Sequence, residues 1–296
     1  MNYMTRRFKL TDIFYIIMMI VPLCFGMFLK VITTPQSEGI SISGARIYFT
    51  LPFPVQNLPV TESQVNSVIV LVVLFFLCLY LTHGIKHGVW LKRHHFAEMI
   101  VEMCNSLVSA NMGEYFKAFG PFIASILALS GLSSLITLFG LFPPTSDINI
   151  VAGWAILVFI LITYYKMKCG PWEYAKSFAN PVLMAPLNII GEIATPVSMA
   201  FRHYGNVLSG SVISVLVAAG LQGLSNIVFG ALPGFLGKFP FLQIGLPAVL
   251  SIYFDIFSGC LQAFIFAMLT MLYIAGGFPL ELYEERKNKK AQKCKN

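Results

Sequence analysis

Apolar residues in this chain fall into long runs, separated by short polar stretches that hold most of the Lys, Arg and Pro. A helix needs about 20 mostly apolar residues to cross a bilayer. Residues 13–29, 66–83, 118–142 and 150–165 each predict one crossing helix, and two longer tracts follow at about 182–230 and 244–275. Tract 182–230 is too long for one upright crossing: at about 1.5 Å per residue it outreaches a hydrocarbon core of ~30 Å. It must tilt strongly, bend or break, and Pro186, Pro196, Gly220, Gly223 and Gly230 mark the places. The expected fold is an all-α integral membrane protein of about six membrane helices, the last two long and strongly tilted. Segment 31–65, with Pro35, Pro52, Pro54 and Pro59, reads as an outer loop without a fold of its own. Segment 97–117 reads as an amphipathic helix at the inner interface.

Composition agrees with the pattern. The chain is 57% hydrophobic and only 11% charged, against about 25% charged in soluble domains. The net charge is +7, but its distribution is a topology signal and not a nucleic-acid footprint. Arg6, Arg7 and Lys9 precede the first run. Lys86, Lys92 and Arg93 follow the second, and Lys166, Lys168 and Lys176 follow the fourth. Six more basic residues lie between Arg286 and Lys295, while 143–149 has none. Positive loops stay inside, so both termini are expected in the cytoplasm, with Lys30 and Arg46 as mild dissent. Run 13–29 resembles a signal peptide in length, but Pro22, Phe25, Met27 and Phe28 leave no small-residue cleavage site, which favours a retained anchor. The expected organisation is therefore an anchor and outer loop over 1–65, a membrane domain over 66–280 and a basic cytoplasmic tail over 281–296. The six cysteines are scattered without metal-type or redox-type spacing.

One charge stands out. Between Glu192 and Lys238 the only Asp, Glu, Lys or Arg is Arg202. A charge at mid-bilayer costs roughly 3 kcal/mol on insertion scales and marks a functional site by default. At helical spacing Gly191, Thr195, Ser198, Arg202, Asn206 and Ser209 share one small, polar face, opposite bulky Ile193, Val197, Phe201, Tyr204 and Leu208. The last tract carries a second stripe of Ser251, Asp255, Ser258 and Gln262. Asp255 is the sole acid between Lys238 and Glu281. With six crossings, Glu192 lies about 15 Å to the inner side of Arg202, and Asp255 about 10 Å to the outer side of Gln262. Placing Gln262 level with Arg202 gives two half-paths separated by a positive barrier.

The string Pro196-Val-Ser-x-x-x-Arg202-x-x-Gly205-Asn206 resembles a signature of subunit a of F-type ATP synthases. So does Leu261-Gln262-Ala263-Phe264-Ile265-Phe266, and Pro144-Thr-Ser-Asp147-Ile-Asn149 is similar to a third, in the same order. The resemblance covers about residues 66–275. It implies that Arg202 faces the carboxylates of a rotating ring of c subunits, with Asn206 and Gln262 as polar partners. It also implies outer-path roles for Asp255, Asp147 and Asn149, and an inward role for Glu192. Many bacterial relatives carry Glu nine residues after the arginine; here the residue is Ser211, and Asp255 is the candidate substitute. His203-Tyr204 replaces the usual apolar pair. The implied partners are the c-ring, the subunit b stalk, the rest of the complex and the lipid bilayer, in a cell inner membrane, with no cofactor and no metal.

No phosphate-binding glycine loop occurs, so ATP is not made on this chain. The coupling ion is left open between H+ and Na+. A secondary transporter with Arg202 binding an anion is the competing reading, although internal repeats typical of such folds are not evident. An intramembrane enzyme lacks both a nucleophile–base pair and a His-Glu-x-x-His cluster.

Overall fold

The computed structural model describes residues 10–33, 44–85 except 53, 55 and 56, 91–168, 170, 171, 174, 176, 185–229, 245, 246, 249, 250, 252–278 and 283. The basic arm, Lys86, the 286–295 tail, Gly230 and Ser251 lie outside them, as do Cys169 and Cys294.

Seven helices are described: α1 (Leu10–Thr33), α2 (Glu62–Thr82), α3 (Lys92–Met112), α4 (Gly120–Leu135), α5 (Ile148–Met167), α6 (Ala185–Phe229) and α7 (Gly259–Gly277). Short 3-10 segments flank α4 at Glu114–Phe119 and Ile136–Phe139, and a π-helical segment, Ile252–Ser258, leads into α7. Six of these stretches are long and apolar enough to cross a membrane: α1, α2, Glu114–Phe139, α5, α6 over Ala185–Ser225, and Ile252–Gly277. The protein is thus an all-α, multi-pass membrane protein.

Segment 31–65 departs from expectation. Ile47–Leu51 (β1) and Leu58–Thr61 (β2) form an antiparallel pair, with Thr50 opposite Pro59. A two-stranded ribbon is marginal alone. Here it is tied to α2, because the backbone N–H of Glu62 donates to the Arg46 carbonyl at 2.7 Å. Pro59 is tolerated because such a pair has only edges.

The chain divides into two compact units. The first comprises 1–100, 125–147 and 203–264. In it α1 lies against α2, and Gly26 permits the approach: a Cβ there would sit 2.8 Å from Ile69 Cδ1. Ile69, Val70, Ile136 and Leu141 form its buried core, with Leu23, Val65 and Leu132 packed on them. Arg93 pairs with Asp12 of α1 at 2.6 Å, donates to the His83 carbonyl at 2.9 Å and covers the Tyr80 ring.

The second unit comprises 101–124, 148–202 and 265–296. Val151, Ala155 and Ala200 make a small buried cluster, and Trp154 meets Phe266 edge to face. Lys168 donates to the Tyr115 hydroxyl at 2.9 Å and lies 5.4 Å from each of the Tyr115, Tyr165 and Tyr283 rings.

Helix α6 runs unbroken for 45 residues with Pro196 inside it. Pro186 falls in its first turn, where a missing N–H breaks no intrahelical bond. At about 1.5 Å per residue the helix reaches about 68 Å, far beyond a ~30 Å hydrocarbon core. Of the three options for tract 182–230, a break is therefore absent over Ala185–Phe229.

Candidate functional site

Arg202 sits near the middle of α6 and is exposed. No hydrogen bond or ion pair joins it to another described residue. Gly191, Ser198 and Ser209 on the same face are exposed too, and Thr195 and Asn206 are half-buried. The buried positions of this stretch are Met199, Ala200, His203 and Gly210, to one side of that face. Only 6% of the most apolar window of α6 is buried. Among the described residues, none pairs with the guanidinium, and most of the small polar face around it is exposed.

Asn206 lies one turn beyond Arg202 on α6. Its Nδ2 donates to Ser258 Oγ at 2.8 Å, tying α6 to the π-helical segment. Close packing there uses glycine: a Cβ on Gly210 would lie 2.9 Å from the Phe254 ring. Asp255, in the same segment, is half-buried and lies within hydrogen-bonding reach of the Thr137 hydroxyl. Gln262 is only 4% exposed. The stripe Asp255, Ser258, Gln262 thus crosses from π-helix into α-helix, a widening that is frequent at functional sites. Ser211 is exposed, and its hydroxyl donates back to the Leu208 carbonyl at 2.8 Å.

Glu192 is half-buried in the second unit. Lys166 Nζ donates to its two carboxylate oxygens at 2.7 and 2.8 Å, and the Tyr174 hydroxyl donates at 3.1 Å. Burial, the charge of Glu192 and this bond push the Tyr174 phenol up to about 12. Glu192 and Lys166 line a cavity of about 250 Å³ with Thr195, Tyr273, Gly276 and Gly277. That is room for several waters. Lys166 reads in the sequence only as a loop base; its partner lies 26 residues on, beyond any helical spacing.

Asp147 and Asn149 open α5. Ser63 donates to Asp147 Oδ2 at 2.5 Å, and Asn66 of α2 donates to the Phe142 carbonyl at 2.8 Å. Asn149 is exposed. The structure therefore joins Asn206 to Ser258, Asp255 to Thr137, Asp147 to Ser63 and Glu192 to Lys166. Arg202 and Glu192 belong to the second unit; Asn206, Ser211, Asp255, Gln262 and Asp147 belong to the first. Ser63, Thr137, Lys166 and Tyr174 are partners that sequence reasoning missed.

Six apolar helices, several of them carrying charged and amide groups, define a polytopic membrane protein. Residues 65–275 match the family model described as ATP synthase A chain, and the chain belongs to that family. It is 29% identical over 264 residues to ATP synthase subunit a of Geotalea daltonii, covering 87% of this chain and 97% of that protein. It is 28% identical over 232 residues to the Trichlorobacter lovleyi subunit, covering 74% and 90%. It is 26% identical over 268 residues to the sodium ion specific subunit a of Propionigenium modestum, covering 79% and 85%. The family is that of a non-catalytic membrane-sector subunit of the F-type ATP synthase.

Proposed function

We infer that this chain is the ion-translocating stator subunit of its synthase, with Arg202 as the fixed cation that meets the carboxylates of a c-ring. The observation that carries the reading is the exposed Arg202 on the uncovered polar face of a membrane-spanning helix. A guanidinium stays protonated at any working pH. It cannot carry a proton, but it lowers the pKa of a carboxylate brought against it.

A rotor carboxylate crosses lipid neutral. At Arg202 it gives up its ion to one half-channel, and after stepping past it reloads from the other. Asn206 and Gln262 orient groups at this midplane. Asp255, Ser211, Asp147 and Asn149 belong to the outer half-path, and Glu192 to the inner one. Leakage between the half-paths has to pass a fixed positive charge. Each elementary charge crossing 100 mV supplies about 2.3 kcal/mol, so several translocations per turn drive ATP formation elsewhere in the complex.

The same reading places residues 66–280 in the membrane domain, 1–65 as anchor and outer loop, and 281–296 as a cytoplasmic tail, with both termini inside at the plasma membrane. The subunit b stalk holds the chain against rotation. The ion is H+ or Na+, and one relative's name specifies sodium.

The deciding experiment is Arg202→Ala in membrane vesicles that carry the whole complex. ATP-driven ion uptake is expected to disappear while the soluble ATPase sites still turn over. Normal coupled uptake overturns the reading. Uptake with and without sodium identifies the ion.

A further inference from the structure

We propose that one face of α4, with His203, forms a proton track linking Asp255 to the neighbourhood of Arg202, and that it does the work of the carboxylate absent at Ser211. The inference rests on the stator reading above and specifies its outer half-path and its ion.

Ser130, Ser133, Ser134 and Thr137 recur at spacings of three and four, so they share one face of α4 and the turn after it. The serines are 0%, 1% and 4% exposed in that order. Three buried hydroxyls and a half-buried fourth on one face of an apolar helix are costly unless they find polar company. At one end the Thr137 hydroxyl lies within hydrogen-bonding reach of Asp255. At the other, Ser130 Oγ lies 3.5 Å from Nε2 of His203, which is itself fully buried. Between them Gly259 lets the α7 backbone close on Ser134, where a Cβ would come within 2.5 Å of the serine's own.

Two observations separate this track from a packing seam. Ser133 Oγ is buried and has no partner among the described residues, so the face holds hydrogen-bonding capacity that the helices do not use. Ser134 and Thr137 return their protons to carbonyls one turn back, at 3.3 and 2.7 Å. Their oxygens keep lone pairs free to accept. Successive hydroxyls along the face are about 5 Å apart, a gap that one water bridges.

An imidazole suits the inner end of such a track because it has two exchangeable sites. For each proton passed it takes one at one ring nitrogen and releases another from the second. Exchange between its tautomers resets it, and no net charge accumulates. The released proton travels on through water towards the polar face, where the rotor carboxylate takes it, and the incoming one comes from Asp255 through water on Thr137. Sodium would need several oxygen ligands converging on one point, whereas this face spreads its four oxygens along about two turns of helix. The track is therefore selective for protons.

The test uses the whole complex in vesicles, comparing ATP-driven proton uptake with passive proton conduction after the soluble sector is stripped. His203→Leu, with complex content unchanged, is expected to cut both about tenfold or more. Adding Ser211→Glu to His203→Leu is expected to restore conduction, which a packing defect would not allow. Ser133→Ala and Thr137→Val change volume little and are expected to slow conduction in the same direction. If His203→Leu fails to assemble, those two variants decide alone. Normal conduction in His203→Leu, or in both hydroxyl variants, overturns the track, as does uptake that requires sodium. Arg202→Ala in parallel separates the two failures: if it uncouples while His203→Leu conducts normally, only the track falls; if it pumps normally, the stator reading falls.

Discussion

Lys166 Nζ reaches both carboxylate oxygens of Glu192, at 2.7 and 2.8 Å, across 26 residues of sequence. The side chains are 24% and 19% exposed. The pair is thus sheltered enough for one partner to miss the other. Lys166→Met is expected to destabilise the protein by roughly 1–3 kcal/mol, between the values for surface and buried pairs. Combining it with Glu192→Gln should cost less than the sum of the single changes. Thermal unfolding of the four proteins in detergent measures the coupling; strict additivity would show that the contact carries no energy.

Tyr174 gives a pH dependence with a defined sign. Its phenol is raised from the usual 10.0 to about 12, with burial and Glu192 as the leading causes. The folded state favours the neutral phenol. Its contribution is complete below pH 10 and is lost as pH rises through about 12. Phenolate absorbance should show one tyrosine ionising late in the native protein, and Tyr174→Phe should remove it. An unchanged titration in Tyr174→Phe contradicts the assignment.

Gly259 is held by sterics. A methyl there meets Ser134 Cβ at 2.5 Å, on a side chain too short to swing away. Gly259→Ala is expected to cost roughly 1–3 kcal/mol by overpacking, and Ser134→Gly should recover part of it. At Gly210 the obstacle is the Phe254 ring. A ring can rotate, so Gly210→Ala should cost less. Thermal midpoints rank the two, and the reverse order would refute the packing argument.

Arg93 and Asp12 secure α1 through an ion pair whose side chains are each 13% exposed. Asp12→Asn is expected to destabilise by roughly 2–4 kcal/mol, since it leaves a guanidinium sheltered without its counter-charge. Arg93→Met should cost more, because the same guanidinium also holds the His83 carbonyl and the Tyr80 ring. Limited proteolysis ahead of α2 should speed up in the same order. Equal cleavage in all three proteins would mean that α1 is held by its apolar face alone.

The crossing helices were legible in the sequence because a bilayer demands long apolar runs, and few soluble structures imitate them. Arg202 was legible because it is the only charged residue between Glu192 and Lys238. The ribbon between α1 and α2 was not: Ile47–Leu51 and Leu58–Thr61 are short, and prolines at 52, 54 and 59 suggest a loop. The π-helical turn at Ile252–Ser258 was also hidden, since projecting Asp255 and Gln262 assumes 3.6 residues per turn throughout. Lys166 carried the expected meaning of a basic residue after a crossing, and its pairing with Glu192 depends on tertiary approach. The α4 serines passed unnoticed because a lone serine in an apolar helix is ordinary. Only their burial beside His203 and Gly259 sets them apart.

Helix α6 buries few of its residues, and among its exposed side chains is a guanidinium. Made without companions, the chain would display that exposed cation straight to acyl tails. Such an orphan is a natural target for membrane quality-control proteases. Its cellular abundance should therefore follow the supply of whatever lies against α6, not the level of its own transcript.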